Sequence, residues 1–133
     1  MNRKMNEKYS NVIFSDELID MYLEIIEQSE INLKVLIEIY ESYKDDIPIT
    51  ISQLGENIVV TRRVGKRLSN GKRTFELKEA PMERKSVEKV IDRFLHMGLV
   101  YLSNEMYPYK KVFITTRGIQ VSIGLFNKLS NQT

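Results

Sequence analysis

Six cations crowd into one stretch of this chain. Arg62, Arg63, Lys66, Arg67, Lys72 and Arg73 follow one another with no acid among them. The chemistry open to such a run is neutralisation of a polyanion. Each lysine or arginine that meets a phosphate releases condensed counterions, so nucleic acid is the commonest partner. A second set lies at Arg84, Lys85, Ser86, Lys89 and Arg93. Arginine reads guanine through its bidentate fork, and a serine hydroxyl can meet a base or a phosphate. A third set is Lys110 and Lys111, beside Tyr107 and Tyr109, which suits phosphate or minor-groove contact. The competing account is a solvated surface with pairs along a helix, such as Arg84 with Glu88. Lys89 and Arg93 are both cationic, so pairing does not explain them.

Catalytic chemistry finds little to work with. His96 is the single histidine, and no partner set accompanies it in sequence. A glycine-rich phosphate loop, a paired-histidine zinc motif and a nucleophile elbow are all missing. Cysteine is absent, which removes disulfides and thiolate metal sites. Asp45-Asp46 could hold a cation, but adjacent acids at a helix end are usually solvated. The expectation is a protein that is not an enzyme, with no cofactor and no metal.

Charge is divided unevenly. Residues 1–50 carry 5 Lys/Arg against 11 Asp/Glu, a net −6, and residues 51–133 carry 15 against 7, a net +8. The 133 residues, 42% of them apolar, suit one domain with a modest core. No apolar run approaches a membrane span, and the first ten residues lack the apolar middle of a signal peptide. A cytoplasmic protein without membrane contact is expected.

The elements that must position these cations can be read from the spacing of apolar residues. Positions 1–14 show no sustained period and read as a flexible N-terminal arm. Ser15, with Asp16 and Glu17 behind it, starts a helix over 16–29. Ile31 to Tyr43 is apolar around much of its circumference, with Leu33, Leu36, Ile37 and Tyr40 on one face and Val35, Ile39 and Tyr43 extending it. That marks a central core helix ending at Asp45-Asp46-Ile47-Pro48. Thr50 and Gln53 fit a capping box for a short helix over 51–58, and Ile47–Ile49 suits a small strand before it.

Residues 59–77 admit two readings. Asn70-Gly71 signals a type I′ turn, and folding about it pairs Lys66 with Phe75 and Val64 with Leu77. Val64, Leu68, Phe75 and Leu77 then share one face, and Arg63, Arg67 and Lys72 the other. Alternatively 61–69 forms a helix capped at Asn70-Gly71, against which Gly65 argues mildly. Beyond this block, Pro81 suits a first helical position. Val87, Val90, Ile91, Phe94 and Leu95 form an apolar helix face, and Gly98 can end that helix. Strands over 99–103 and 110–115 follow, joined by a tip at 104–109. Thr115 or Thr116 can cap a last helix carrying Ile119, Ile123, Phe126 and Leu129.

The order helix, Gly98-Leu99-Val100, short hairpin, Ile114-Thr115-Thr116-Arg117-Gly118, helix resembles the winged helix-turn-helix DNA-binding proteins. The likeness is to the MarR-like regulators and to small plasmid and phage DNA-binding proteins, and it covers roughly 31–130. It implies a mainly α fold with a small β wing. Residues 15–133 would form a single winged-helix domain, with a basic insertion near 59–80. The terminal helices would serve dimerisation, and the recognition helix would lie at about 83–97. The pattern departs from that family where 24 residues separate Ile58 from Glu83. Either a basic hairpin is inserted, or 61–69 is the recognition helix. The resemblance implies double-stranded DNA as partner and a homodimer on a palindromic or repeated site. The role would be transcriptional regulation. Alternatives are a partition or replication adaptor with a protein partner, or a winged helix used for protein–protein contact.

Overall fold

A cap written in the sequence opens the first long helix. A computed structural model of the protein describes residues 3–103 and 110–131. Ser15 accepts a hydrogen bond from the Leu18 N–H at 3.3 Å and starts α2 (Asp16–Glu27), following the short α1 (Arg3–Lys8). Next comes α3 (Glu30–Lys44), which buries Val35, Leu36 and Ile39 together with Asn32. Tyr43, expected on its apolar face, is exposed instead. The helix ends as a Schellman motif: the Ile47 N–H reaches the Ser42 carbonyl, the Asp46 N–H reaches that of Tyr43, and Asp46 takes φ 55°.

The capping box forms as the sequence indicates. Thr50 Oγ1 accepts from the Gln53 N–H at 3.1 Å, while Gln53 Oε1 accepts from the Thr50 N–H at 2.9 Å. It closes the start of α4 (Ile51–Asn57), directly after the two-residue β1 (Ile49–Thr50).

Residues 59–81 form a two-stranded antiparallel arm, β2 (Val59–Arg67) and β3 (Arg73–Pro81). The helical reading of 61–69 therefore fails, and so does the expected register. Val64 faces Glu76 and Gly65 faces Phe75, one residue away from the type I′ pairing. The turn explains the slip. The Gly71 N–H bonds the Leu68 carbonyl, and the Leu68 N–H bonds that of Lys72. Gly71 alone takes the left-handed conformation, at φ 81°. This is a three-residue loop ending in a left-handed glycine, not the two-residue turn expected from Asn-Gly. A one-residue slip reverses the faces of one strand relative to the other. Phe75 and Leu77 thus join Arg63 and Arg67, while Val64 sits with Arg62 and Lys66.

Pro81 closes β3 opposite Val59, and α5 (Arg84–His96) begins three residues later than Pro81 suggests. Its buried stripe is Val87, Val90, Ile91 and Phe94, and Gly98 (φ 76°) ends it in a second Schellman motif. Then β4 (Val100–Ser103) pairs with β5 (Lys111–Ile114), which pairs in turn with β1. The result is a three-stranded antiparallel sheet in the order β1-β5-β4, compatible with a wing. The tip expected at 104–109 lies outside the described residues.

Thr115 caps α6 (Thr116–Asn131), accepting from the Gly118 N–H at 3.0 Å and donating to the Gly98 carbonyl at 2.7 Å. The buried side of α6 is Arg117, Gly118, Val121, Ser122 and Leu125. Of the apolar residues expected on this helix, Ile123 and Leu129 are exposed. Small residues allow close approach here: a Cβ at Gly124 would already lie 3.1 Å from Ile19 Cγ2 on α2. Lys128 donates to Glu27 at 2.8 Å, and this bond raises the lysine's pKa. The N-terminal segment read as a flexible arm is tied to the same helix. Arg117 donates to the carbonyls of Tyr9 at 2.7 Å and Val12 at 2.9 Å, and Gln120 bonds the backbone of Phe14. No described helix is long and apolar enough to cross a membrane.

Candidate nucleic-acid interface

The arm springs from the junction between α4 and α5 and is fastened at its base. The Met82 N–H bonds the Ile58 carbonyl at 2.8 Å, Lys34 Nζ on α3 bonds that of Val59 at 3.0 Å, and Val60 packs against the core. Nine residues per strand carry it out by roughly 30 Å at the rise of a β-strand. Residues 59–81 hold seven lysines and arginines against two glutamates, a net +5.

Its two faces differ. Arg62 and Lys66 share one face with Glu76 and Lys78, as alternation along the strands requires. Arg62 Nη1 meets Glu83 Oε1 at 2.6 Å, and Lys66 Nζ lies 4.0 Å from Glu76 Oε2. Arg63, Arg67 and Arg73 lie on the other face, with Phe75, Leu77 and Glu79. Among the described residues, no carboxylate pairs with any of these three arginines. Arg63 stacks its guanidinium over Phe75, 5.0 Å from the ring centre. Lys72 occupies the turn, where its N–H bonds Asn70 Oδ1 at 3.0 Å. The six cations of 62–73 thus divide between a partly neutralised face, an open face and the tip.

On α5 the expected readers are less free. Arg84 Nε bonds Glu88 Oε1 at 3.0 Å, and its Nη1 bonds Ser52 Oγ on α4 at 3.2 Å. Lys85 and Lys89 are exposed, and Ser86 is half-buried at the first turn. Arg93, near the opposite end of the helix, reaches Asn32 Oδ1 on α3 at 3.4 Å. A groove of about 510 Å³ runs between α4, α5 and the sheet, lined in part by Arg84, Glu88, Asp92 and Lys110. Lys110 is exposed at the start of β5, and Lys111 is half-buried where it pairs with Thr50 and Ser103. Tyr107 and Tyr109, expected beside them, lie outside the described residues.

Sequence reasoning missed the acids that hold these cations, Glu83 for Arg62 and Glu76 for Lys66. Only the register and the arm's base bring them together. It also missed Phe75 and Leu77 as surface residues, because the expected register gave them a shared apolar face with Val64. His96 is an exposed helix residue whose Nδ1 lies 2.6 Å from the Asp92 carbonyl. Among the described residues, no three histidine, aspartate or glutamate side chains converge as a metal site. Comparison of the chain with protein-family models, with curated proteins and with solved structures gave no match.

Proposed function

We propose that this chain is a double-stranded DNA-binding protein of winged-helix type, acting as a homodimeric transcriptional regulator on a palindromic or repeated site. The observation that carries this reading is the basic arm. It projects between the two helices that a helix-turn-helix would use, and its open face holds three arginines that no acid neutralises among the described residues. In this reading α4 and α5 are the helix-turn-helix, β4 and β5 are the wing, and Lys85 and Lys89 face the groove. Lys110 and Lys111 flank it, and Lys66, Lys72 and Arg73 add phosphate contacts. Such an array supplies the sequence-independent part of DNA affinity. Exposed apolar residues on α2 (Met21, Ile25) and α6 (Ile123, Leu129) suit a two-fold contact between copies.

The test is titration of a random duplex across a salt series. The parent chain should bind with steep salt dependence. Replacing Arg63, Arg67 and Arg73 by Ala should lower the slope of log affinity against log salt by about 2.7, at roughly 0.9 for each phosphate no longer neutralised. A folded triple variant with the parent's slope would show that the arm faces something other than DNA. Absence of any duplex binding at low salt would favour a protein-interaction role for the same domain.

A further inference from the structure

We propose that Phe75 and Leu77 form an apolar wedge that the arm carries into the minor groove of duplex DNA, unstacking base steps and bending the duplex. This rests on the DNA-binding reading above and adds to it how the arm engages.

Four observations converge on this face. Phe75 is 60% exposed and Leu77 is 75% exposed, each more than Arg62 at the arm's base. Phe75 stands opposite Gly65, which has no side chain to cover the ring, so the one contact across the ladder that the ring makes among the described residues is the diagonal Arg63 guanidinium, 5.0 Å from its centre. Leu77 stands opposite Arg63, and Arg67 stands opposite Arg73. The last pair sets two cations directly across the strands, an arrangement that is unfavourable alone and relieved by an anion placed against it. The apolar pair is therefore embedded in positive charge that no carboxylate pairs among the described residues, with Glu79 the single acid of the arm's face, nearer the base.

That combination selects the occupant. A second copy of the arm would set arginine against arginine. A polyanion with apolar interior surface matches both chemistries, and stacked DNA bases between two phosphate strands provide it. Minor-groove proteins combine cations on the backbone with Phe or Leu inserted between base steps, which kinks the duplex. Residues i and i+2 on a strand lie about 6.8 Å apart, close to two base steps of about 3.4 Å. Phe75 and Leu77 thus address steps two apart while Arg63, Arg67 and Arg73 meet the flanking phosphates.

The experiment measures energy transfer between dyes on the two ends of a random duplex of about 25 base pairs, at low salt and saturating protein. The parent, Phe75→Ala/Leu77→Ala and Arg63→Ala/Arg67→Ala/Arg73→Ala are compared, with circular dichroism as a folding control. The parent should shorten the end-to-end distance by a bend in the range of about 40–90°. The apolar variant should still bind with the parent's salt slope, with the bend reduced by roughly half or more, since the wedge is what unstacks the steps. The arginine variant should lose affinity and salt slope. A parent that binds but leaves the duplex straight, or an apolar variant that bends it as the parent does, overturns the wedge and leaves DNA binding standing. A parent that binds no duplex overturns both. An apolar variant that bends DNA normally but loses self-association assigns the pair to contact between copies and overturns the proposal.

Discussion

Gly118 has no space for a side chain. A Cβ there would overlap the Leu99 carbonyl oxygen and fall 2.6 Å from Ile114 Cγ1. The obstructing atoms include backbone at the junction of α5 and β4, which cannot turn aside. Gly118→Ala should therefore destabilise the fold by about 2–3 kcal/mol, the scale of overpacking in a tight core, measured by urea denaturation. Asp46 is the opposite case. It is a non-glycine in the left-handed region, at the position where helices favour glycine. Asp46→Gly should raise stability by about 0.5–1 kcal/mol, relief of the left-handed strain being partly offset by a more flexible unfolded chain. A loss of stability would mean that the Asp46 side chain contributes more than its backbone costs. The glycine at 118 was legible only as the end of Ile114-Thr115-Thr116-Arg117-Gly118, the stretch that carries the winged-helix resemblance, and its lack of space was not. The strain at Asp46 was not legible, because Asp45-Asp46 gives no sign in sequence of which residue turns left-handed.

At the scale of elements, the arm is the least self-sufficient part. A two-stranded ribbon is marginal alone, so its base contacts must hold it. Arg62 with Glu83 is one such contact, and Glu83→Ala should leave binding intact while increasing amide exchange near Val59 and Pro81. On α5, the Glu88 carboxylate occupies the fork of Arg84 and adds a negative charge to the groove. Glu88→Gln should strengthen duplex binding by about threefold to tenfold, or roughly 0.7–1.4 kcal/mol, in fluorescence anisotropy at low salt. An unchanged or weakened affinity would place DNA away from this groove. Apolar spacing made α2, α3 and α5 legible, with the Ser15 cap marking the start of α2 and Gly98 the end of α5. The arm was legible as a hairpin but not in its register, which one glycine's conformation decides and which sets the side on which Phe75 and Leu77 emerge. The buried face of α6 was not legible, because close packing puts glycine and serine inward and leaves Ile123 and Leu129 outside, against the usual hydrophobic pattern.

For the molecule as a whole, the division of charge along the sequence becomes a division between elements. The acids of the first half lie mainly on α2 and α3, and the cations of the second half on the arm, α5 and the start of β5. On the DNA-binding reading proposed above, such a dipolar surface would orient the polyanion during encounter and keep it off the acidic helices. On the homodimer proposed above, those helices, with Met21 and Ile25 exposed between the acids, would supply the contact with a second copy. Ile25→Glu should shift the chain toward monomer in sedimentation and weaken binding to a two-site duplex far more than to a single site; equal weakening of both would argue against a dimer on α2. The most direct test of the central claim is an amide-resolved nuclear magnetic resonance titration with a random duplex at low salt. The account expects shifts and broadening at 62–75 and in the first half of α5, reversed by added salt, with 16–27 unperturbed. Perturbation confined to α2 and α3, or no change anywhere at low salt, would contradict it.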